Sequence, residues 1–182
     1  KTRGLILIGD KVAKPDLAEL RRDTLKWAVQ ALRTTRAGTL TAGPAAYDAW
    51  AADMAADEFW PAGDLAVLAD HLGAHYDAMT TVAERNLPAP WLRDAAKHEP
   101  AMAAHLEAAA KALDAEHETI YAMHDAYGGY MDPHDEKRLP VLADHAVREK
   151  AAAAIRAARD RHVEAADHIE KALLAAGRAG GQ

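Results

Sequence analysis

The stretch DHAVREKAAAAIRAARDRHVEAADHIEKALL, residues 144–174, decides the fold of this chain. Alanine has the highest helix propensity, and Glu, Lys and Arg lose little side-chain freedom in a helix, so this composition predicts one long helix. Asp144 suits the N-cap position, because its carboxylate can accept hydrogen bonds from the backbone N–H groups of the first turn. A helix of this length needs several shorter partners to cover its apolar side.

Apolar residues at helical spacing recur through the preceding sequence. The predicted helices cover residues 15–33, 44–59, 64–86, 91–98 and 100–127, with stretches rich in Pro, Gly or Thr between them. The connections are short, which favours antiparallel neighbours. We therefore predict an all-α fold, an antiparallel helical bundle of about five helices with one short N-terminal strand.

The predicted strand is the apolar run RGLILIG, residues 3–9. A single strand cannot satisfy its own backbone hydrogen bonds, so it needs a partner that this sequence hardly offers. We therefore expect the missing strands upstream of Lys1 or in a second copy of the chain, and residues 1–14 to form the edge of an upstream domain. Because the chain begins with Lys, we expect it to be either processed or a piece of a longer protein. The bundle is expected to span residues 15–177, followed by a disordered tail at 178–182.

The composition excludes several classes of function. The chain contains no Cys and no Ser, which rules out disulfides, thiolate metal sites and Cys or Ser nucleophiles. The formal net charge is -6, and the basic residues between Arg148 and Arg161 alternate with acids, so we expect no nucleic-acid binding. No apolar run in the sequence is long enough to cross a membrane, and we expect no membrane contact and a cytoplasmic location.

Ten histidines suggest a metal site. His71 and His75 are four residues apart on a predicted helix, a spacing that allows two imidazoles to bind one ion. His162 and His168 on the last helix complete the candidate set, for which zinc or nickel is a suitable metal. The competing interpretation is that each is a buried histidine bonded to a backbone carbonyl or a Tyr hydroxyl, in which case no cofactor is expected.

The aromatic residues also permit two interpretations. Large rings near predicted helix faces or ends can fill the core and the hinges, and these are Trp27, Trp50, Phe59 and Trp60. Alternatively, some of these rings line a ligand groove. The residues predicted to contact a ligand are Tyr47, Trp50, His75, Tyr121 and His124.

Three segments of the chain resemble a group of uncharacterised bacterial proteins. They are RGLILIGDK (residues 3–11), GPAAYDAWAADM (residues 43–54) and YGGYM (residues 127–131), in that order. In that group a papain-like (C39-peptidase-like or BtrH-N-terminal-like) segment precedes a helical region, and this chain is similar to the helical region. The resemblance implies that the Cys and His of a thiol enzyme lie upstream, so it assigns no catalytic residue to this chain.

These features lead to one functional prediction and two alternatives. We predict a non-catalytic helical accessory domain that shapes the substrate cleft of an upstream papain-like domain of the same protein, or mediates homodimerisation. The first alternative is a metal-dependent hydrolase of the DinB-like helical-bundle kind, which uses histidines of the bundle. The second alternative is a small-molecule-binding regulatory domain.

Overall fold

The chain folds into a helical bundle with one very small sheet. A computed structural model describes residues 16–83 and 87–179. Its helices are α1 (Leu17–Arg33), α2 (Gly43–Ala55), α3 (Leu65–Ala83), α4 (Pro88–His98), α5 (Ala103–Tyr121), α6 (Met123–Ala126) and α7 (His145–Ala179). The remaining elements are an antiparallel hairpin of β1 (Arg36–Ala37) and β2 (Leu40–Thr41) and two 3-10 turns, Asp57–Phe59 and Leu139–Ala143. The predicted all-α bundle is confirmed.

Helix α7 is the element against which most of the others pack. Helix α5 has the most extensive contact with α7, and α1, α2 and α6 also pack on it. The buried face of α7 is made largely of small side chains, namely Ala151, Ala152, Ala158, Ala165 and Ala172. Alanine at these positions lets neighbouring backbones approach closely, so one long helix can support four others.

The buried side chains divide into two apolar clusters along α5 and α7. The first cluster joins α2, α3 and the end of α5, and it includes Met54, Leu68, Leu72, Ile120 and Ile155. The second cluster joins α1, α4 and the first part of α5, and it includes Leu25, Leu92, Leu106, Leu113 and Ile169. Residues 114–119 of α5 and 159–164 of α7 therefore lie at the boundary between the two clusters.

Arg148, near the start of α7, is buried although it carries a charge. A buried guanidinium needs hydrogen-bond partners to offset the loss of its hydration. Arg148 Nη1 donates to the Leu142 carbonyl at 2.8 Å, and Nη2 is paired with the Asp57 carboxylate. His145 Nδ1 lies 3.0 Å from that carboxylate, and its hydrogen bond is the main reason why the pKa of Asp57 lies below its usual range. These contacts attach both 3-10 turns to the start of α7.

Two predicted helices are shorter than their sequence patterns indicate. The helix predicted at 44–59 ends at Ala55, because Ala56 is extended and the indole N–H of Trp60 donates to the Asp53 carbonyl at 3.1 Å, which holds the chain folded back. The helix predicted at 100–127 is interrupted after α5, and the short α6 follows. Apolar spacing continues through both breaks, so it could not locate them.

Other sequence predictions have different outcomes. Trp60 is buried, as the core interpretation requires, whereas Trp27 is 68% exposed and lies outside the core. Helix α7 continues to Ala179, two residues beyond the predicted end of the bundle. The predicted strand at 3–9 and the tail at 180–182 lie outside the described residues.

Gly43 allows α2 to begin against the end of α1, and it provides a test of this packing. Its φ is +50°, and an added Cβ would lie 2.4 Å from the Thr34 carbonyl oxygen. We expect Gly43→Ala to lower the free energy of unfolding by about 2 kcal/mol or more, because it combines an unfavourable φ with a backbone clash. Urea unfolding measures the loss.

Gly38 in the hairpin turn supplies the matched control. Its φ is +62°, but nothing lies within 4 Å of the position of an added Cβ. Gly38→Ala should therefore cost only about 1 kcal/mol, the conformational part of the penalty. Equal losses for the two variants would contradict the close contact between α1 and α2.

Candidate functional site

A cavity of about 560 Å³ lies beside the second cluster, between α1, α4 and α7. Apolar side chains form most of its wall, including those of Leu32, Leu92, Leu113 and Ile169. Among the described residues no charged side chain lines it, and apart from indole N–H groups its polar side chains are Thr24 and His162. The volume lies within the range of pockets that enclose small organic ligands. We call this space the α1–α4 cavity.

Two tryptophans flank the α1–α4 cavity and remain partly accessible to solvent. Trp27 on α1 is 68% exposed, and Trp91 on α4 is 38% exposed. Burial of an indole ring is strongly favourable, because it removes a large apolar surface from water. A bound apolar molecule that covers these two rings would be stabilised in this way. The two rings therefore mark the side of the cavity from which a ligand can enter.

A buried polar network forms the inner boundary of the α1–α4 cavity. His162 on α7 is 1% exposed, and its Nε2 lies 2.9 Å from the Leu32 carbonyl oxygen of α1. Its Nδ1 lies 3.3 Å from Oε1 of Glu116 on α5, which also accepts a hydrogen bond from the Tyr47 hydroxyl of α2. The network therefore joins four helices through side chains that are all buried.

The contacts of His162 restrict the places of its ring protons. A carbonyl oxygen only accepts, so His162 Nε2 carries a proton and donates it to Leu32. The contact between Nδ1 and Oε1 of Glu116 then requires one further proton, either on the ring or on the carboxyl group. Both ring nitrogens of His162 are therefore engaged inside the protein.

A second pocket, of about 340 Å³, lies between α2 and α3. We call it the α2–α3 pocket. Trp50 and Asp53 of α2 and His71 and His75 of α3 contribute to its wall, together with Phe59. The indole N–H of Trp50 donates to Nδ1 of His75, so the neutral ring of His75 carries its proton on Nε2. Burial, assisted by the nearby His71, lowers the pKa of His75 to about 4.

The structure distributes the predicted ligand residues over three places. Tyr47 belongs to the network beside the α1–α4 cavity, whereas Trp50 and His75 line the α2–α3 pocket. Tyr121 and His124 lie in a separate group of rings, with His124 5.5 Å from Tyr76 between ring centroids. Tyr121 is 46% exposed and lines neither of the two pockets described above. The five residues therefore do not surround one ligand.

The candidate metal ligands are also separated. His71 and His75 face the α2–α3 pocket, and His162 is hydrogen-bonded within the buried network. His168 lies 3.9 Å from Glu164, one turn away on α7. In the part of the chain that the structure describes, no three His, Asp or Glu side chains are grouped so that they could bind one metal ion.

Sequence reasoning missed Glu116 and Trp91. Glu116 lies three residues after Leu113 and four before Ile120, so helical spacing already placed it on the buried face of α5. It was not singled out, because a glutamate on a helix is usually solvated. Trp91 gave no comparable signal, since only the packing of α4 beside α1 brings it to the cavity.

Comparisons with known proteins add no identification. The chain matches no protein family, no curated protein and no solved structure. Over the described ranges, none of the helices combines the length and apolar character that crossing a membrane requires. The function therefore has to be inferred from the two pockets and the network between the helices.

The lowered pKa of His75 makes stability depend on pH. Between pH 6.5, the usual imidazole value, and about 4, the unfolded chain binds a proton that the folded chain does not. The free energy of unfolding should therefore fall as the pH is lowered through this window, by about 2–3 kcal/mol from His75. In His75→Asn, the amide oxygen can replace Nδ1 as acceptor for Trp50 without titrating, and the pH dependence should weaken.

Urea unfolding at several pH values between 4 and 7 measures this effect. His98→Asn changes an exposed histidine of α4 and should retain the pH dependence of the unmodified chain. The explanation fails if His75→Asn and His98→Asn have the same pH dependence.

Two substitutions of Glu116 test the buried network. In Glu116→Gln, the amide nitrogen can take the place of Oε1 and donate one N–H to Nδ1 of His162 and the other to the hydroxyl oxygen of Tyr47. The free energy of unfolding should therefore change by less than about 1 kcal/mol. Glu116→Leu has a similar volume but offers neither bond, and it should cost about 2–4 kcal/mol. Chemical unfolding of both variants measures the difference, and a Leu variant as stable as the Gln variant would exclude the network as a stabilising feature.

Proposed function

We propose that this chain is a non-catalytic binding domain for a small, neutral, largely apolar molecule, which occupies the α1–α4 cavity. The observation that carries the proposal is the cavity itself, about 560 Å³ of mostly apolar wall flanked by two exposed tryptophans. Cavities of this size and composition are typical of ligand sites, because burial of apolar surface supplies most of the affinity. The proposal corresponds to the small-molecule-binding alternative from the sequence.

The lining residues restrict the chemistry of the ligand. A charged group in this cavity would lose hydration without meeting an opposite charge, so the ligand is expected to be neutral. Thr24 Oγ1 donates to the Leu20 carbonyl at 2.8 Å, which leaves its lone pairs able to accept from a ligand hydroxyl or amine. The nitrogens of His162 are already engaged, so this ring provides contact surface.

The same contacts favour binding over catalysis. His162 is the only imidazole that lines the α1–α4 cavity in the described chain, and its hydrogen bonds hold it to Leu32 and Glu116. Glu116 lies behind His162 and does not line the cavity. General acid–base chemistry needs a titratable group that can reach the reacting proton, and this wall presents none that is unengaged.

Several predictions from the sequence extend this proposal. An upstream papain-like segment of the same protein, for which this chain acts as an accessory domain, remains the predicted partner. Homodimerisation and a cytoplasmic location also remain predictions. A ligand-binding helical domain is compatible with each of them, because control of a neighbouring domain by a bound small molecule requires no catalytic group in this chain.

The neutral fluorophore 1-aminoanthracene provides a direct test of the α1–α4 cavity. Its emission should rise on transfer to an apolar site, and the fluorescence of Trp27 and Trp91 should change during the same titration. Ala28 lines the cavity, so Ala28→Phe should fill it and weaken binding at least about tenfold, the equivalent of about 1.4 kcal/mol. Ala104→Phe, at an exposed position of α5, is the matched control and should bind normally.

A second comparison tests the expected neutrality of the ligand. Anthracene-1-carboxylate has the same ring system but carries a negative charge, and it should bind at least about tenfold more weakly than 1-aminoanthracene. Circular dichroism establishes that Ala28→Phe remains folded. The proposal is abandoned if 1-aminoanthracene does not bind, or if Ala28→Phe and Ala104→Phe bind it equally.

A further inference from the structure

We propose that the α2–α3 pocket binds a small organic cation of the quaternary-ammonium class. This site is separate from the α1–α4 cavity, and the proposal does not depend on that cavity being occupied. The pocket combines a carboxylate with several aromatic rings and lacks any Lys or Arg among the described residues that line it. Those are the features by which proteins recognise alkylated ammonium groups.

The rings at the pocket wall are those of Trp50, Phe59, His71 and His75, and the buried Trp60, which does not line the pocket, contacts both imidazoles. The centroid of Trp50 lies 6.2 Å from that of His75, and Trp60 lies 5.1 Å from His75. His71 is 5.5 Å from Trp60 and 5.8 Å from Phe59, again between ring centroids. The electron-rich faces of indole and phenyl rings attract a cation whose charge is spread over methyl groups.

The hydrogen bonds of the indole rings leave their N–H groups engaged, so a ligand would contact the ring faces. Trp50 donates its indole N–H to His75, and Trp60 donates its indole N–H to the Asp53 carbonyl. Both indole donors are therefore occupied inside the protein. In the described chain, the side-chain N–H donors that remain at the pocket wall are those of the imidazole rings of His71 and His75. A cation needs no donor, whereas an anion needs several to replace its hydration.

Asp53 supplies the negative charge of the site. Its side chain is exposed at the pocket wall, and in the described chain it makes no ion pair with a Lys or Arg. Its neighbours Trp50 and Ala49 lie on the same side of α2, so the carboxylate and the indole ring approach the pocket together. A carboxylate next to aromatic faces attracts a cation by charge and retains it by contact with the rings.

His75 does not oppose a cation at neutral pH. Burial keeps its pKa at about 4, so its ring is uncharged and can act as a further aromatic surface. The pocket volume of about 340 Å³ suits a compact head group.

The test compares choline with 3,3-dimethylbutan-1-ol, in which a carbon atom replaces the positive nitrogen. Titration of the full chain at pH 8, above the usual range of imidazole, is followed by the proton NMR signals of the His and Trp rings. Choline should shift the signals of Trp50, His71 and His75, and the neutral isostere should bind at least about tenfold more weakly.

Two variants test whether the Asp53 carboxylate contributes to choline binding. Asp53→Asn should weaken choline binding at least about fivefold, because it removes the charge from an exposed side chain without changing its size. Asp77→Asn removes the same charge from an exposed position of α3 that does not line the pocket, and it should bind choline normally. Equal binding of choline and its isostere, equal effects of the two variants, or no shift of the three ring signals would each overturn the proposal.

Discussion

The arrangement of the bundle depends on one buried contact, the pairing of Glu116 with His162. On α5, Glu116 lies between Leu113 of the second cluster and Ile120 of the first, and on α7 His162 lies between the corresponding clusters. Apolar contacts alone tolerate a shift of one helix along another, whereas a buried carboxyl and imidazole tolerate only the register in which both are bonded. The pair therefore fixes α5 on α7, and its bonds to Tyr47 and Leu32 fix α2 and α1 as well.

The α1–α4 cavity follows from the same arrangement. Leu32 is held by its carbonyl, and Gly43 brings α2 close to the end of α1, so α1 cannot move inward to fill the space. The buried face of α7 consists largely of alanine, which packs backbones closely but provides little volume for filling gaps between more distant helices. Trp27 and Trp91 border the remaining space without closing it. The cavity is therefore a consequence of the packing of small residues around a fixed polar contact.

The sequence predicted which helices form better than it predicted where they end and which side chains come together. The long helix α7 and the all-α class follow from alanine content and apolar spacing, which are local properties. The end of α2 was missed because the indole N–H of Trp60 donates to the Asp53 carbonyl, a contact that apolar spacing does not reveal. The break after α5 at Ala122 likewise leaves the apolar spacing unchanged. The structure places the predicted ligand residues in different pockets and ring groups, and for Tyr47 and Trp50 the reason is geometric. Tyr47 and Trp50 are three residues apart, so they point about 60° away from each other around α2 and contribute to different sites.

Because Tyr47 and Trp50 point in different directions around α2, one short helix contributes to two sites of different composition. Tyr47, Ala51 and Met54 form its buried side, and Tyr47 belongs to the buried network beside the apolar α1–α4 cavity. Trp50 and Asp53 face the α2–α3 pocket, where a carboxylate and aromatic rings suit a cation. The two sides are adjacent, since the ring centroids of Tyr47 and Trp50 are 6.5 Å apart. The walls of both sites therefore depend on the position of α2, because Gly43 lines the α1–α4 cavity and Trp50 and Asp53 line the α2–α3 pocket.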